Sequence, residues 1–207
     1  MTADIPLIGF ARRMTGYKRP ELLLADLARL RSVHRAHEFQ VVWAGKAHPR
    51  DSEGKRLIEH INNHIRELHG EIRMAFLPNY DLEIAKSLVA GADIWLNTPL
   101  PPLEASGTSG MKAAINGVLN LSVLDGWWVE AWIEDTTGWS IGNDGNPQDD
   151  GHHAYDLYDK LEGKVLPLYY RDRARWIWMM KQTIAKIASY FNSQRMMRRY
   201  ASEAYLK

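Results

Sequence analysis

Short apolar runs alternate with amphipathic segments along the first 124 residues of the chain. The continuous apolar runs predict buried strands at residues 5–11, 39–45, 72–77, 93–97 and 118–124. Apolar positions at helical spacing predict helices at residues 20–36, 53–69 and 82–92, and a fourth helix after the turn GTSG. Strands that alternate with helices indicate an α/β fold whose parallel sheet is covered by helices on both faces.

The last third of the chain has a different pattern. Residues 142–153, GNDGNPQDDGHH, are polar and rich in turn formers, which predicts a loop. We divide the chain into residues 1–150 and a helical tail of residues 151–207 that belongs to the same domain. The tail carries an apolar surface that either packs on this domain or docks elsewhere, formed by Trp176, Trp178, Met179, Met180, Ile184, Ile187 and Phe191.

Composition narrows the class of protein. The net charge of +1 offers no global attraction to nucleic acid or to an anionic membrane. The absence of cysteine excludes disulfides and thiolate chemistry. No apolar run approaches the length of a membrane span, and the N-terminus does not resemble a signal peptide. We therefore expect a soluble, cytoplasmic chain.

Two loops that follow strands are candidate anion sites. The segment ASGTSG, residues 105–110, opens a helix whose first N–H groups can bind an anion, or Ser106, Thr108 or Ser109 can simply cap that helix. The segment GFARRMTGYKRP, residues 9–20, gathers four cations after the first strand, and it is either a solvated loop or a phosphate site. Because both loops lie at the carboxyl edge of one sheet, the sequence predicts a site that holds more than one phosphate.

Lys112 follows the loop ASGTSG. A lysine near the start of a helix opposes the helix dipole. Its apolar neighbours suggest a dry environment, which lowers the pKa of an amine and suits Schiff-base formation. Alternatively, the side chain extends to solvent over its own apolar stem.

Other conspicuous residues receive structural interpretations. Asp125 precedes Gly126 in a predicted turn, and the tryptophans at 127, 128 and 132 are expected to pack. His152 and His153 have no carboxylate at metal-ligand spacing, so no metal site is predicted.

Five segments together resemble the C-terminal half of the α-glucan (glycogen, starch or maltodextrin) phosphorylases, most closely the short bacterial and archaeal type. They cover nearly the whole chain in order, and EASGTSGMK is the most specific of them. The segments are GFARRMTGYKRPELL, VVWAGKAHPRD, FLPNYDLEIAKSLVAGADIWLNTP, EASGTSGMKAAINGVLNLSVLDGWWVEAW and YYRDRARWIWMMKQTIAKIASYFNSQRMMRRY.

The resemblance implies an activity and a cofactor. These enzymes use inorganic phosphate to release terminal glucosyl units of an α-1,4-glucan as α-glucose 1-phosphate. Their pyridoxal 5′-phosphate forms a Schiff base with the lysine that corresponds to Lys112, and the cofactor's phosphate group exchanges a proton with the substrate phosphate. The fold that this implies is a Rossmann-like domain, the C-terminal half of the two-domain GT-B arrangement.

The resemblance also implies roles for individual residues. Arg13 and Lys18 correspond to residues that hold the substrate phosphate. Arg12 stands near the cofactor phosphate, where the well-known members have lysine. Thr108 and Ser109 correspond to the cofactor-phosphate contact, and the sugar contacts correspond to Tyr17, Glu104, Ser106 and Gly107.

Two differences from the family are visible in the sequence. Asp81 follows Tyr80 where long phosphorylases carry an arginine that helps to hold the cofactor phosphate. The chain also supplies only the second domain, so we expect the partner to be an N-terminal phosphorylase domain, with self-association through the tail as a further expectation.

Two other classes of protein remain open. A nucleotide-sugar glucosyltransferase of the glycogen synthase kind shares the architecture but does not need the lysine of EASGTSGMK. A non-catalytic remnant domain would fold without activity. Retention of pyridoxal 5′-phosphate distinguishes a phosphorylase domain from both of these classes.

Overall fold

Six parallel strands form one sheet in the computed structural model, which describes residues 1–142, 145 and 148–206. The order across the sheet is β3-β2-β1-β4-β5-β6. Every pair of neighbouring strands is parallel, and β1 pairs with β2 from Leu7 opposite Gln40 to Arg13 opposite Lys46. The strands are β1 (Leu7–Arg13), β2 (Gln40–Lys46), β3 (Arg73–Leu77), β4 (Ile94–Asn97), β5 (Leu119–Val123) and β6 (Gly138–Ile141).

The five predicted strands are present within two residues at either end. The sixth strand, β6, was not predicted. It is only four residues long, and Gly138 at its start has a φ of 148° that a side chain would not favour. The strand β4 is equally short but reads IWLN, whereas β6 reads GWSI, so no continuous apolar run marks β6 in the sequence.

Helices connect successive strands of the sheet. The described helices are α1 (Leu27–Ala36), α2 (Ser52–Glu67), α3 (Leu82–Gly91), α4 (Thr108–Ile115), α5 (Trp128–Ala131), α6 (Asp150–Lys160), α7 (Leu166–Arg171), α8 (Arg173–Tyr190) and α9 (Ser193–Tyr200). A π-helical turn at Leu161–Val165 joins α6 to α7, and another follows α9 at Ala201–Tyr205.

Two predicted boundaries are wrong. The helix predicted for residues 20–36 is interrupted, because the Asp26 carboxylate accepts a hydrogen bond from the N–H of Arg29 and starts α1 there, after a 3₁₀ turn at Leu22–Leu24. The loop predicted for residues 142–153 ends earlier, because α6 begins at Asp150 behind its cap Asp149. Four residues of that predicted loop, at 143, 144, 146 and 147, lie outside the described part of the chain.

Alternate residues of each strand face opposite layers of helices. On β2, Val41 and Trp43 belong to the core beneath α1, α2 and α6, whereas Val42 and Ala44 belong to the core beneath α3 and α4. This alternation is the expected result of a period of two in strands buried on both sides. The prediction of an α/β fold with helices on both faces of a parallel sheet is confirmed.

The tail packs on the domain, and part of its apolar surface remains outside. Trp176 and Met179 of α8 are buried in the core that includes the strands, and Ile187 packs with Trp127 and Trp128. Other apolar side chains of the tail are exposed, and they include Ile177, Trp178, Ile184, Met196, Met197 and Tyr200. The division at residue 150 stays a prediction. Within the described residues, no helix combines the length and apolar character needed to span a bilayer.

Candidate functional site

The carboxyl ends of β1 and β4 lie side by side at the centre of the sheet. The chain moves outward from β1 to β2 and β3, and then returns to β4 on the other side of β1. Ligands of open α/β sheets bind at such a reversal of strand order, outside the carboxyl ends of the strands. Both predicted anion loops follow these two strands, so the fold brings them to one place.

Hydrogen bonds tie the two loops together. The N–H of Leu100 donates to the carbonyl oxygen of Tyr17 at 2.7 Å. The hydroxyl of Thr98 lies 3.0 Å from the carbonyl oxygen of Lys18 and 2.9 Å from that of Arg19. The loop after β1 is therefore held against the loop after β4.

Three charged side chains meet between these loops. Arg12 lies near the carboxyl end of β1, Lys18 closes a 3₁₀ turn at Gly16–Lys18, and Glu104 comes from the loop after β4. The Arg12 Nη2 and the Lys18 Nζ both form ion pairs with the same oxygen, Oε2, of Glu104. All three side chains are less than a tenth exposed.

The electrostatics of this triad follow from burial and pairing. Burial by itself raises the pKa of the Glu104 carboxyl, but the hydrogen bond from Lys18 and the charges of Arg12 and Lys18 outweigh burial and lower it. Burial lowers the pKa of the Arg12 guanidinium, and the charge of Glu104 opposes this effect. An arginine stays protonated even so. The triad thus carries two positive charges and one negative charge.

One donor of the triad is left over. The Arg12 Nη1 is buried and has no hydrogen-bond partner among the residues that the structure describes. A buried guanidinium donor without a partner costs free energy, which an oxyanion at this position would recover. The charge excess and the unpartnered donor both fit a phosphate.

Arg19 does not belong to the anion site, contrary to its grouping with the other cations in the sequence. Its Nε donates to the carbonyl oxygen of Thr98 at 2.9 Å, and its Nη2 donates to that of Pro99 at 2.7 Å. The same side chain reaches Asp150 and His153 at the start of α6. Protein groups surround this guanidinium, so its role is to fasten the loops to α6.

The N-terminus of α4 lacks a side-chain cap, so the capping interpretation of ASGTSG is wrong. Gly107, with a φ of 90°, occupies the cap position. Six other helices each begin with an Asp or Asn whose side chain accepts the N–H three residues further on, and these caps are Asp26, Asp51, Asp81, Asp149, Asp172 and Asn192. The first N–H groups of α4, at Thr108 and Ser109, are free of such a cap and suited to an anion.

Close packing explains the glycines of this segment. A Cβ at Gly110 would lie 2.8 Å from Asn120 Oδ1 and 2.9 Å from the ring of Trp127. A Cβ at Gly107 would lie 3.2 Å from Trp127 Cδ1. Trp127 is buried, which confirms that it packs, and it supports the first turn of α4.

The segment after β5 fixes the position of Glu104. Asp125 Oδ2 accepts a hydrogen bond from the N–H of Glu104 at 2.8 Å, and Oδ1 accepts one from the N–H of Gly126 at 2.8 Å. The N–H of Trp127 donates to the carbonyl oxygen of Ser106 at 2.8 Å. From the sequence, Asp125 was expected only in a turn. Asp125 follows β5, which lies beside β4 in the sheet, and that placement is what brings it to the loop after β4.

Lys112 is exposed, so the dry environment expected from its apolar neighbours is not present in this chain. The buried face of α4 is formed by Gly110, Ala113 and Ala114, at the i, i+3, i+4 spacing of one helix face. Lys112 lies on another face, which it shares with the exposed Ile115. The amine is accessible to a reagent or a ligand.

The remaining predicted site residues take separate places. Arg13 is exposed, since it follows Arg12 along a strand and points to the opposite face. Lys18 Nζ lies 4.6 Å from the centre of the Tyr17 ring. Thr108 is exposed at the start of α4, and the hydroxyl of Ser109 accepts a hydrogen bond from Trp95 Nε1 at 3.3 Å.

Asp81 has a structural role that its sequence position did not reveal. Its carboxylate accepts a hydrogen bond from the N–H of Ile84 at 2.9 Å and caps α3. An arginine at this position would have no acceptor with which to cap the helix. The residue that differs from the long phosphorylases therefore starts a helix here.

Comparison with known proteins decides the family. A sequence profile described as carbohydrate phosphorylase matches residues 10–140, more than half of the chain. The chain belongs to the carbohydrate phosphorylase family. This phosphorylase chain is 46% identical to the glycogen phosphorylase of Aquifex aeolicus over 219 aligned positions that cover 100% of it and 31% of the relative. It is 45% identical to the maltodextrin phosphorylase of Thermococcus litoralis, covering 97% of the chain and 25% of the relative.

The phosphorylase chain therefore spans about a quarter to a third of the length of these relatives. Its fold is similar to that of HepE from Anabaena, whose structure was solved in complex with UDP and glucose. The TM-score is 0.69 at 16% identity, over 97% of this chain and 49% of HepE. At that identity the likeness supports the fold, and the site is argued from its own residues.

Proposed function

We propose that this chain is the phosphate- and cofactor-binding domain of an α-1,4-glucan phosphorylase. In that enzyme, inorganic phosphate cleaves a terminal glucosyl unit from the glucan to give α-glucose 1-phosphate. The observation that carries the proposal is the meeting of Arg12, Lys18 and Glu104 at the reversal of strand order, with a buried donor of Arg12 left unpartnered.

The residues of the triad have distinct tasks in this proposal. Arg12 and Lys18 bind oxygens of a phosphate, the guanidinium through two parallel donors and the ammonium as a point charge. Tyr17, beside Lys18, contacts the sugar, and Arg13 stays a phosphate contact predicted from the resemblance. Glu104 accepts hydrogen bonds from sugar hydroxyls, and the backbone N–H groups of Ser106 and Gly107 donate to them. Burial strengthens the interactions of Arg12, Lys18 and Glu104, because water competes less in a shielded site.

The residues around α4 fit pyridoxal 5′-phosphate. The uncapped N–H groups of Thr108 and Ser109 suit its phosphate group, and Lys112 is an accessible amine for its aldehyde. When bound, the cofactor supplies a phosphate group that exchanges a proton with the substrate phosphate. The unpartnered Arg12 donor lies at the carboxyl end of β1, away from the N-terminus of α4 in sequence, and is available to a second anion, so the chain has groups for two phosphates.

The remainder of the proposed enzyme supplies the glucan-binding surface. The exposed face of α4 around Lys112 and Ile115 and the exposed apolar residues of the tail are surfaces for an N-terminal phosphorylase domain. Self-association through the tail and a cytoplasmic location stay predictions from the sequence. A nucleotide-sugar transferase shares the fold but does not require an amine at Lys112.

Covalent trapping of the cofactor tests the proposal. The chain is incubated with pyridoxal 5′-phosphate, reduced with borohydride and mapped by peptide mass spectrometry. We expect a stable adduct at Lys112, and its loss in Lys112→Arg. Lys181, an exposed lysine of α8, serves as the internal control for unspecific labelling.

Labelling spread equally over Lys112 and Lys181 would contradict a built cofactor site in this chain. A second assay then separates an enzyme domain from a remnant. The N-terminal portion of a related phosphorylase is added, and phosphate-dependent release of glucose 1-phosphate from maltodextrin is measured. Activity that requires both parts supports the proposal, and its absence with the cofactor bound at Lys112 supports a remnant.

A further inference from the structure

Arg12 and Lys18, the proposed phosphate-binding cations, already form ion pairs with an anionic side chain of the protein, Glu104. Arg12 Nη2 and Lys18 Nζ converge on one oxygen of Glu104, Oε2. A carboxylate oxygen between a guanidinium and an ammonium occupies the position that an oxygen of a bound phosphate would take. The protein therefore presents its own substitute for the ligand.

The same carboxylate cannot serve two partners at once. With both cations on Glu104, its charge is neutralised and it is a weak acceptor for a sugar hydroxyl. When another anion takes Arg12 and Lys18, the carboxylate regains an unpaired charge and becomes a strong acceptor. The ion pairs thus connect occupancy of the phosphate position with the acceptor strength of the sugar position.

The backbone around Glu104 permits such an exchange. Asp125 holds the N–H of Glu104, and Trp127 holds the carbonyl oxygen of Ser106. These contacts fix the main chain, while the Glu104 side chain, among the described residues, makes its hydrogen bonds with the two cations. A rotation of the side chain is sufficient to move the carboxylate from one partner to the other.

We infer that Glu104 is a resident counter-ion that an incoming oxyanion displaces, and that this displacement makes phosphate and sugar bind with positive coupling. The inference rests on the proposed function, because it uses the same cations as the phosphate site. Coupling of this kind is reciprocal, so sugar that engages Glu104 also frees Arg12 and Lys18 for phosphate. The alternative is that Glu104 has a structural role, in which it stays paired with both cations and keeps them in position.

Phosphate binding to the chain separates these two roles. Isothermal titration calorimetry with inorganic phosphate at low ionic strength is applied to wild type, Glu104→Gln and Glu130→Gln. Glu130 is an exposed carboxylate, and its substitution controls for the change in net charge. If Glu104 competes with phosphate, E104Q binds phosphate about fivefold or more tightly than wild type, the lower end of typical coupling between sites, and E130Q does not.

Three other outcomes of the phosphate titration would overturn the inference or the proposed phosphate site. If E104Q binds phosphate more weakly than wild type and E130Q binds it equally well, the inference is overturned. Glu104 then has a structural role, and the proposed phosphate site is still supported. An equal increase in E104Q and E130Q also overturns it, because it reports net charge alone. Phosphate binding that is the same in wild type and Lys18→Ala removes the proposed phosphate site itself.

A second variant covers the case in which E104Q fails to fold, as judged by circular dichroism. Glu104→Asp keeps the charge and shortens the side chain by one methylene, which weakens its reach to the two cations. We expect E104D also to bind phosphate more tightly than wild type. Equal or weaker binding would contradict displacement.

Discussion

The carboxylate of Asp125 accepts a hydrogen bond from the backbone N–H of Glu104 at 2.8 Å, although 21 residues separate them. This contact connects the end of β5 to the loop after β4 and sets the place from which Glu104 reaches Arg12 and Lys18. Asp125 acts through another residue, so we regard it as a positioning residue of the proposed site.

Removal of the Asp125 carboxylate should therefore affect both stability and phosphate binding. Asp125→Ala leaves the N–H groups of Glu104 and Gly126 without their acceptors, and we expect a loss of about 1–3 kcal/mol in the free energy of unfolding. Urea unfolding measures this loss. Asp159→Ala, at an exposed position of α6, should change stability by less than about 0.5 kcal/mol. A D125A protein as stable as D159A would contradict the positioning role.

The contact between α4 and Trp127 makes a prediction about Gly110. Gly110→Ala places a Cβ within 3 Å of Asn120 and of the Trp127 ring, so we expect a destabilisation of about 1–3 kcal/mol from overpacking. Gly91, at the end of α3, has no neighbour within 4 Å, and Gly91→Ala should stabilise the chain by about 0.4–1 kcal/mol. Thermal unfolding of both variants checks the opposite signs, and equal shifts would disprove the packing argument.

The helix cap at Asp81 predicts a contrast between two substitutions. Asp81→Asn keeps an acceptor for the N–H of Ile84 and should preserve stability, whereas Asp81→Ala should lower it by about 1 kcal/mol. Chemical denaturation measures the difference. We expect D81N also to retain cofactor labelling at Lys112, because a cap does not touch the cofactor. Loss of labelling in D81N at full stability would instead place Asp81 in the cofactor site.

The lowered pKa of Glu104 predicts part of the acid sensitivity of the fold. A carboxyl whose pKa is lower in the folded state stabilises the fold above its unfolded value, close to 4.5, and this contribution is lost as the pH falls through the folded value. Unfolding free energies measured from about pH 6 to about pH 3 should fall more steeply for wild type than for Glu104→Gln. Parallel curves for the two proteins would show that Glu104 gains nothing from its cations.

The hydrophobic pattern predicted five of the six strands described in the structure and missed β6, at the edge of the sheet. Strands such as β2 are buried on both faces, so their sequence is continuously apolar and easy to recognise. The strand β6 contains Gly138 and a buried Ser140, and nothing in its four residues distinguishes it from a turn. A cap inside a leucine-rich stretch, at Asp26, was overlooked for a related reason, since the apolar period continues across it.

The residues of the candidate site could be predicted from the sequence, whereas the contacts between them could not. Arg12, Lys18 and Glu104 were each candidates, but the ion pairs that join them span 92 and 86 residues, and no local pattern encodes such a contact. The sequence left two orientations of Lys112 open, because apolar neighbours along the chain do not decide which face of a helix is buried. That choice depends on the packing of Trp127 and α8 against α4.

The fastening made by Arg19 has a consequence for any attempt to shorten the chain. Its guanidinium joins Thr98 and Pro99 to Asp150 and His153, so the loop beside the triad and the first turn of α6 share one buried cation. A protein that ended before α6 would keep Arg12, Lys18 and Glu104, but the Arg19 guanidinium would lose its contacts with Asp150 and His153. The smallest part of the chain that keeps the proposed site intact therefore extends past Lys112, the last of the proposed site residues, to α6.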